Sequence, residues 1–248
     1  ELYPGWTYSN CSYVCSLFRP EIYRSLNLAK HGLQIVPYGG GVTFLRNGDI
    51  IGNYPDKDIQ RREFARHNAR DADAYLRYSR DNMRQCRFIR PLLMRTPPDP
   101  ASFRLRDRRE MIHLGRELAQ LGEATVHDTI RFYTLSIADY LGEYFESDAI
   151  KAHLAGSGII GTALGVYSPG TAYVLLHHQM GEVDGQSGAW GFARGGMGAI
   201  AAALAGAVKE HGGEILTDKP VERIIVRGGR VRGVALANGD EYLADVVV

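Results

Sequence analysis

The sequence predicts an α/β protein: a helix-rich stretch carrying a small mixed β-sheet, then a helix, a strand and a tight β-meander. Three observations predict it. Apolar residues recur at helical spacing between capping residues over 56–155. Asn47-Gly48 sits between two strand-like runs. Three β-branched runs towards the C-terminal end are parted by Gly228-Gly229 and Asn238-Gly239.

Composition excludes several classes. Of 248 residues, 45% are hydrophobic and 23% charged, which suits a soluble globular chain able to bury a core rather than a disordered or collagenous one. No apolar run approaches the roughly 20 residues that a spanning helix needs. Formal net charge is +1, so the overall balance does not point to nucleic acid. The charge is uneven: residues 61–131 carry 16 basic against 10 acidic groups, and every basic one is Arg. Solvated helix faces are the preferred reading, with a membrane-surface or acidic-partner patch as the alternative. Interleaved aromatics and a known nucleic-acid motif are missing from that stretch. Cys11, Cys15 and Cys86 form no CxxC pair and no cluster of zinc spacing, so they read as reduced structural thiols of a cytoplasmic-type compartment.

The elements follow in order. Pro20–Leu28 gives a short helical pattern. Leu33–Pro37 is a strand-like run, Gly39–Gly41 a break, and Val42–Arg46 pairs back with Asp49–Gly52 through Asn47-Gly48, a two-residue hairpin signal. Asp56 is placed to cap one helix and Asp71 a second that runs to about Leu93, with Tyr75, Met83, Cys86, Ile89 and Leu93 near one face. Pro91 can kink that helix and Thr96–Pro100 ends it. A third helix covers about Leu105–Leu121 and stops at Gly122. Ser136 and Asp139 open a helix over Ile137–Phe145 as a capping box, and Asp148–Leu154 follows. Residues 156–195, rich in Gly, Tyr and His, read as a long irregular pocket-lining stretch. Gly195-Gly-Met-Gly198 opens an Ala-rich helix in which Met197, Ile200, Leu204 and Val208 recur, and Gly212-Gly213 ends it. Glu214–Thr217 is a short strand. Val221–Val226, Val231–Ala237 and Tyr242–Val248 are the meander.

Motifs of chemistry are sparse. Gly156-Ser-Gly158-Ile-Ile-Gly161 matches the dinucleotide pattern in letters, but it follows a helix instead of a strand and is discounted. His177-His178 is a pair of neighbours that point apart, so polar pocket lining or a satisfied buried His outweighs a metal site. No nucleophile elbow is present. Tyr133, Tyr140, Tyr144, Tyr167, Tyr173 and Trp190 suit a flat or lipophilic ligand site and ordinary core equally well.

The segment from Trp190 to Val248 carries Gly195-Gly196, the Ala-rich Ala199–Val208, Val221 with Ile224, the Gly229/Val231/Gly233/Val234 spacing and Ala244-Asp245 before Val247-Val248. It resembles the middle of FAD-dependent oxidoreductases related to phytoene desaturases and, more distantly, flavin amine oxidases. Residues 1–34 are similar to the stretch after that family's flavin-contacting Gly-Gly loop, and 136–155 to a helical segment of its substrate domain. The family's G-x-G-x-x-G unit and its C-terminal part are expected outside Glu1–Val248, so an internal fragment is expected here, inactive on its own.

The resemblance implies a fold and a site. Residues 1–30 would connect, 31–190 would form a substrate-binding domain, and 191–248 would be the returning segment of a glutathione-reductase-type FAD-binding domain, with its helix, parallel strand and meander. FAD would oxidise a C–C or C–N bond by hydride transfer, on a small apolar substrate sooner than an amine; the competing class is a non-catalytic lipophilic-ligand or interaction protein on the same scaffold. By position, Val221 would hold the adenine with its backbone, Gly195 and Gly196 would approach the flavin, and Met197, Gly198 and Ala199 would face the substrate. Tight helix packing explains the two glycines equally well. No residue takes a catalytic role and no metal is expected. A cytoplasmic protein is expected from its cysteines, with peripheral membrane association as an added expectation; nucleic acid is not expected as a partner.

Overall fold

The computed structural model describes residues 3–5, 9 and 12–248. Cys11 lies outside them. The first described helix, α1 (Pro20–Ser25), starts on Pro20, whose fixed φ suits a first helical turn. It leads into β1 (Ile35–Pro37), then β2 (Gly41–Phe44) and β3 (Ile50–Asn53), an antiparallel hairpin. The hairpin turn differs from the two-residue loop expected. Leu45 N–H donates to Asp49 and Gly48 N–H to Leu45, so Arg46, Asn47 and Gly48 form a three-residue loop. Gly48 at φ 86° takes the left-handed position that closes it.

Helices dominate the next hundred residues. Asp56 caps α2 (Lys57–Ala65) as expected, accepting from the Asp58 and Ile59 amides. The cap of α3 (Ala69–Ile89) is Asn68, not Asp71. Asp71 sits inside the first turn, 1% exposed, and its carboxylate accepts from Glu146 N–H at 2.8 Å and Ser147 N–H at 2.9 Å. Pro91 turns the end of α3 into a 3-10 helix over Arg90–Met94, which leaves Leu93 exposed instead of on the core face. That face includes Tyr78, Asn82, Gln85, Cys86 and Ile89; Met83 is only half-buried. Two of those residues carry amide side chains: Tyr140 Oη donates to Asn82 Oδ1 and Thr129 Oγ1 to Gln85 Oε1, while the buried Asn82 Nδ2 has no partner among the described residues.

Helix α4 (Leu105–Gln120) matches the third expected helix. Two helices were not expected. The first is α5 (Glu123–Thr134), whose β-branched Thr, Val and Ile disguise it. After α6 (Ile137–Gly142), capped by Ser136 and Asp139 as expected, and α7 (Asp148–Ala155), comes the second, α8 (Thr171–Gln179). The stretch 156–195 is thus not simply irregular. It also holds β4 (Glu182–Val183), β5 (Gln186–Ser187) and β6 (Gly191–Ala193). The first glycines of the discounted dinucleotide match form a 3-10 turn at Gly156–Gly158, directly after α7.

The last part opens with α9 (Gly198–Glu210) and closes with β7 (Val221–Arg227), β8 (Arg230–Leu236) and β9 (Glu241–Leu243) in an antiparallel meander. Gly228 and Gly229, both with positive φ, make the two-residue turn between β7 and β8. The strand expected at 214–217 is absent. A strand exists only where a neighbour offers its ladder, and among the described residues none runs beside this segment; Ile215 and Leu216 stay 43% and 45% exposed. The small mixed sheet also gives way: every strand pair among the described residues is antiparallel. The third strand ends at Leu243 instead of reaching Val248.

Two apolar clusters hold the molecule. The larger joins Phe64, Tyr78, Ile89, Phe132, Tyr140, Leu141, Ile150, Leu175 and Leu176 from α2, α3 and α5–α8. The smaller joins Leu28 and Leu33 to Ala193, Ala203 and Ala207. The spacing that picks out Val208 misplaces the inner face of α9: Val208 is 43% exposed, while Ala203 and Ala207 are buried. Between the clusters runs a seam of backbone. β1 pairs with β6, and Cys15 exchanges two backbone hydrogen bonds with Gly191 on β6.

Candidate functional site

The site begins where β6 ends. Ala193 turns through Arg194, Gly195 and Gly196, closed by Gly196 N–H donating to Ala193 at 2.9 Å. Gly195 and Gly196 have φ of 86° and 83°, a region costly for any side chain. Conformation therefore requires these glycines. Crowding does not: a Cβ on Gly195 would come no closer than 3.8 Å to Ala199. Ser9 Oγ accepts from Met197 N–H at 3.1 Å at the mouth of α9. Gly195, Gly196 and Gly198 are exposed, Met197 and Ala199 half-buried, and a Cβ on Gly198 would meet nothing within 4 Å. The helix start is an open surface with amides and the positive end of a helix dipole behind it, which suits an electron-rich group.

Val221 stands elsewhere. It opens β7, pairs with Leu236 and is 56% exposed. β7 is an edge strand, with β8 as its neighbour on one side. Among the described residues no hydrogen bond and no shared apolar cluster links Val221 to the start of α9. The structure brings Gly195, Gly196, Met197, Gly198 and Ala199 together and leaves Val221 apart.

The six aromatic residues divide. Tyr140 is core at 4% exposure, and Tyr144 packs against the same cluster with its Oη on Asp81. Burial pushes both phenols up. Of the other four, Tyr133 and Tyr167 are exposed, while Tyr173 and Trp190 are half-buried. Tyr133 stacks on Tyr173 with ring centroids 4.4 Å apart, and Tyr167 is 81% exposed. The row continues along α8: Tyr173 to His177 at 6.2 Å, His177 to His178 at 5.6 Å, His178 to Trp190 at 6.0 Å. Trp190 Nε1 donates to the His178 carbonyl and fixes the row to the chain just before β6. From Trp190 to Gly195 is five residues, at most about 18 Å of chain. The aromatic row thus ends five residues before the open helix start.

This aromatic wall carries no formal charge. From Gly156 to Gly181 there is no Asp, Glu, Lys or Arg, in a chain where 23% of residues are charged. Helix α8 is apolar on its inner face and uncharged on its outer one. Desolvation and the neighbouring His178 hold the His177 imidazole below its ordinary pKa, in its neutral form. Burial and Tyr173 push the Tyr133 phenol up to about 12. The missing charges were the signal by which sequence reading could have found the wall. Among the described residues no cluster of His, Cys, Asp or Glu could hold a metal, and the His pair serves the wall instead.

A wide cleft lies elsewhere among the described residues. About 960 Å³ in volume, it runs between α3 and the end of α4 with Arg80, Arg84 and Arg87 on its rim and Leu76, Met83 and Leu121 within. It is an open groove, and no residue at the start of α9 lines it.

The family described as flavin containing amine oxidoreductase matches residues 40–248. The rat "Pyridine nucleotide-disulfide oxidoreductase domain-containing protein 2" is 35% identical over 100% of this chain and 45% of its own length. A 4,4'-diapophytoene desaturase of Methylomonas is 25% identical over 87% of this chain and 38% of its own length. The zeta-carotene-forming phytoene desaturase of Myxococcus xanthus is 30% identical over 48% of this chain and 22% of its own length. The chain spans less than half the length of these curated relatives.

Proposed function

We propose, for a chain that belongs to the flavin-containing amine oxidoreductase family, that the whole protein is an FAD-dependent oxidoreductase acting on an apolar substrate. When bound, FAD would accept a hydride from a C–H carbon of that substrate as a C–C or C–N single bond becomes a double bond, with a proton lost from the neighbouring atom to solvent. The residues present suit such a group. The start of α9 offers exposed glycines, open space at Gly198 and a dipole favourable to a reduced flavin, and the free edge of β7 at Val221 offers backbone groups for a base. In this reading Gly195 and Gly196 let the chain approach the flavin, Met197, Gly198 and Ala199 line the substrate side, and Val221 holds the adenine. Residues 31–190 form the substrate-facing unit, and 191–248 return to the cofactor.

The observation that carries the substrate class is the uncharged aromatic wall, whose last ring, Trp190, precedes this helix start by five residues. Its rings give flat apolar contact and exclude water, and neutral His177 places no charge against the substrate. The desaturases among the relatives are named for polyene products, which agrees with that chemistry.

The visible spectrum of the purified full-length protein tests the reading. Oxidised flavin bands that bleach on anaerobic addition of an apolar substrate are expected. A colourless protein that FAD cannot reconstitute would leave the lipophilic-ligand scaffold in its place. Ala199→Phe is expected to impair turnover and spare flavin content; unchanged kinetics with a long substrate would remove the helix start from the site.

A further inference from the structure

We propose that α4 docks the protein onto an anionic lipid surface. Only half of this helix is used by the fold. Met111, Leu114 and Leu118 are half-buried, yet no residue of α4 is fully buried. On its outer side Leu105 and Ile112, two turns apart, are 64% and 56% exposed, and Phe103 just ahead of the helix is 85% exposed. At helical spacing Arg109 and Arg116 run along one side of this strip and Arg108 along the other.

The charges decide the occupant. Arg95 binds both Glu110 and Glu117, which takes up two of the helix's three acids. Among the described residues, Arg104, Arg106, Arg108, Arg109 and Arg116 make no ion pair with a carboxylate, whereas Arg61, Arg66, Arg70, Arg84 and Arg90 each do. Arg108 lies over the Phe103 ring, 5.1 Å from its centroid. Exposed apolar side chains between unpaired arginines match a headgroup layer. The apolar strip enters the acyl boundary, and the guanidinium groups stay at the phosphates. An acidic protein would satisfy the arginines but would give Phe103, Leu105 and Ile112 no apolar partner. No described helix is long and apolar enough to cross a membrane, so the contact is peripheral.

Sedimentation of the full-length protein with vesicles of pure phosphatidylcholine, and of phosphatidylcholine with phosphatidylglycerol, tests this. Binding to the anionic vesicles alone, weakened by salt, is expected. Arg109→Gln with Arg116→Gln should lower the partition coefficient about 25-fold, near fivefold per arginine. Phe103→Ser with Leu105→Ser should lower it on the same vesicles without altering the circular dichroism spectrum. No binding to the anionic vesicles, equal binding to neutral ones, or binding indifferent to both pairs of substitutions would overturn the proposal. So would substitutions that split a dimer in light scattering while vesicle binding stays intact, because the strip would then belong to a second copy.

Discussion

Single residues carry more of this fold than their types suggest. Gly206 lies in the middle of α9, where Ala would ordinarily gain about 1 kcal/mol of helix stability. Here a Cβ would meet His31 Nδ1 at 2.7 Å and its Cγ at 3.0 Å, and His31 is held in place by Glu210, 2.8 Å from its Nε2. Gly206→Val is therefore expected to cost about 2 kcal/mol, read as a fall in urea midpoint at unchanged slope. Cys86 and Cys15 behave in the opposite sense, as inert fillers. Burial pushes the Cys86 thiol up to about 12 and raises that of Cys15 as well. Peptide mapping after iodoacetamide should find both unmodified in the native protein and both modified in urea. Labelling of either in the native state would show that its segment opens.

His153 adds a pH dependence at the same scale. Its Nδ1 lies 2.7 Å from Thr43 Oγ1, and its ring stands edge-on to Phe64. Desolvation lowers its pKa, partly offset by Glu63 and reinforced by His67. Above about pH 6.5 both folded and unfolded chains hold it neutral; below that the unfolded chain takes up a proton that the folded one refuses. Stability should be full above about pH 6.5 and fall as pH drops below it. His177, also lowered, contributes with the same sign. His153→Gln should flatten the slope of Tm against pH without abolishing it. An unchanged slope would move the titration to other groups.

Elements were legible where their ends declare themselves. Asp56 and Ser136 cap α2 and α6 because a short side-chain acceptor just ahead of an apolar run has little else to do. Asp71 shows how the same signal misleads. Asn68, three residues earlier, is the cap, and Asp71 is spent on the chain between α6 and α7. The two roles predict unequal costs. Asn68→Ala should cost about 1 kcal/mol, the value of a cap. Asp71→Ala should cost about 2–4 kcal/mol, since it strands two amides that a buried carboxylate satisfies. Equal losses in chemical denaturation would contradict this assignment. α5 and α8 were illegible for a different reason. Both rely on tertiary packing, and local propensity in α5, rich in β-branched residues, argues against a helix.

At the scale of the whole molecule, the strand expected at 214–217 and the wall of α8 teach opposite lessons about partners. The strand pattern of Ile215 and Leu216 finds no ladder among the described residues, so local apolar character alone does not make a strand. The start of α9 was legible because positive φ leaves its mark as paired glycines; the wall was not, because its mark is the absence of charge across residues distant from any motif. Ring residues alone could not be sorted, since Tyr140 and Tyr173 look alike until one is buried and the other stacked on Tyr133. Tyr167 gives the sharpest test of what the wall is for. At 81% exposure it contributes little to the fold, so Tyr167→Lys should change stability by no more than about 0.5 kcal/mol. If the wall receives an apolar molecule, the new ammonium must be desolvated when that molecule binds, at a cost of at least about 1–3 kcal/mol. In the full-length protein the KM for an apolar substrate should then rise about tenfold or more, while kcat and flavin content stay near their original values. A KM unchanged by that charge would place Tyr167 outside the route to the helix start and confine the wall to the rings between Tyr133 and Trp190.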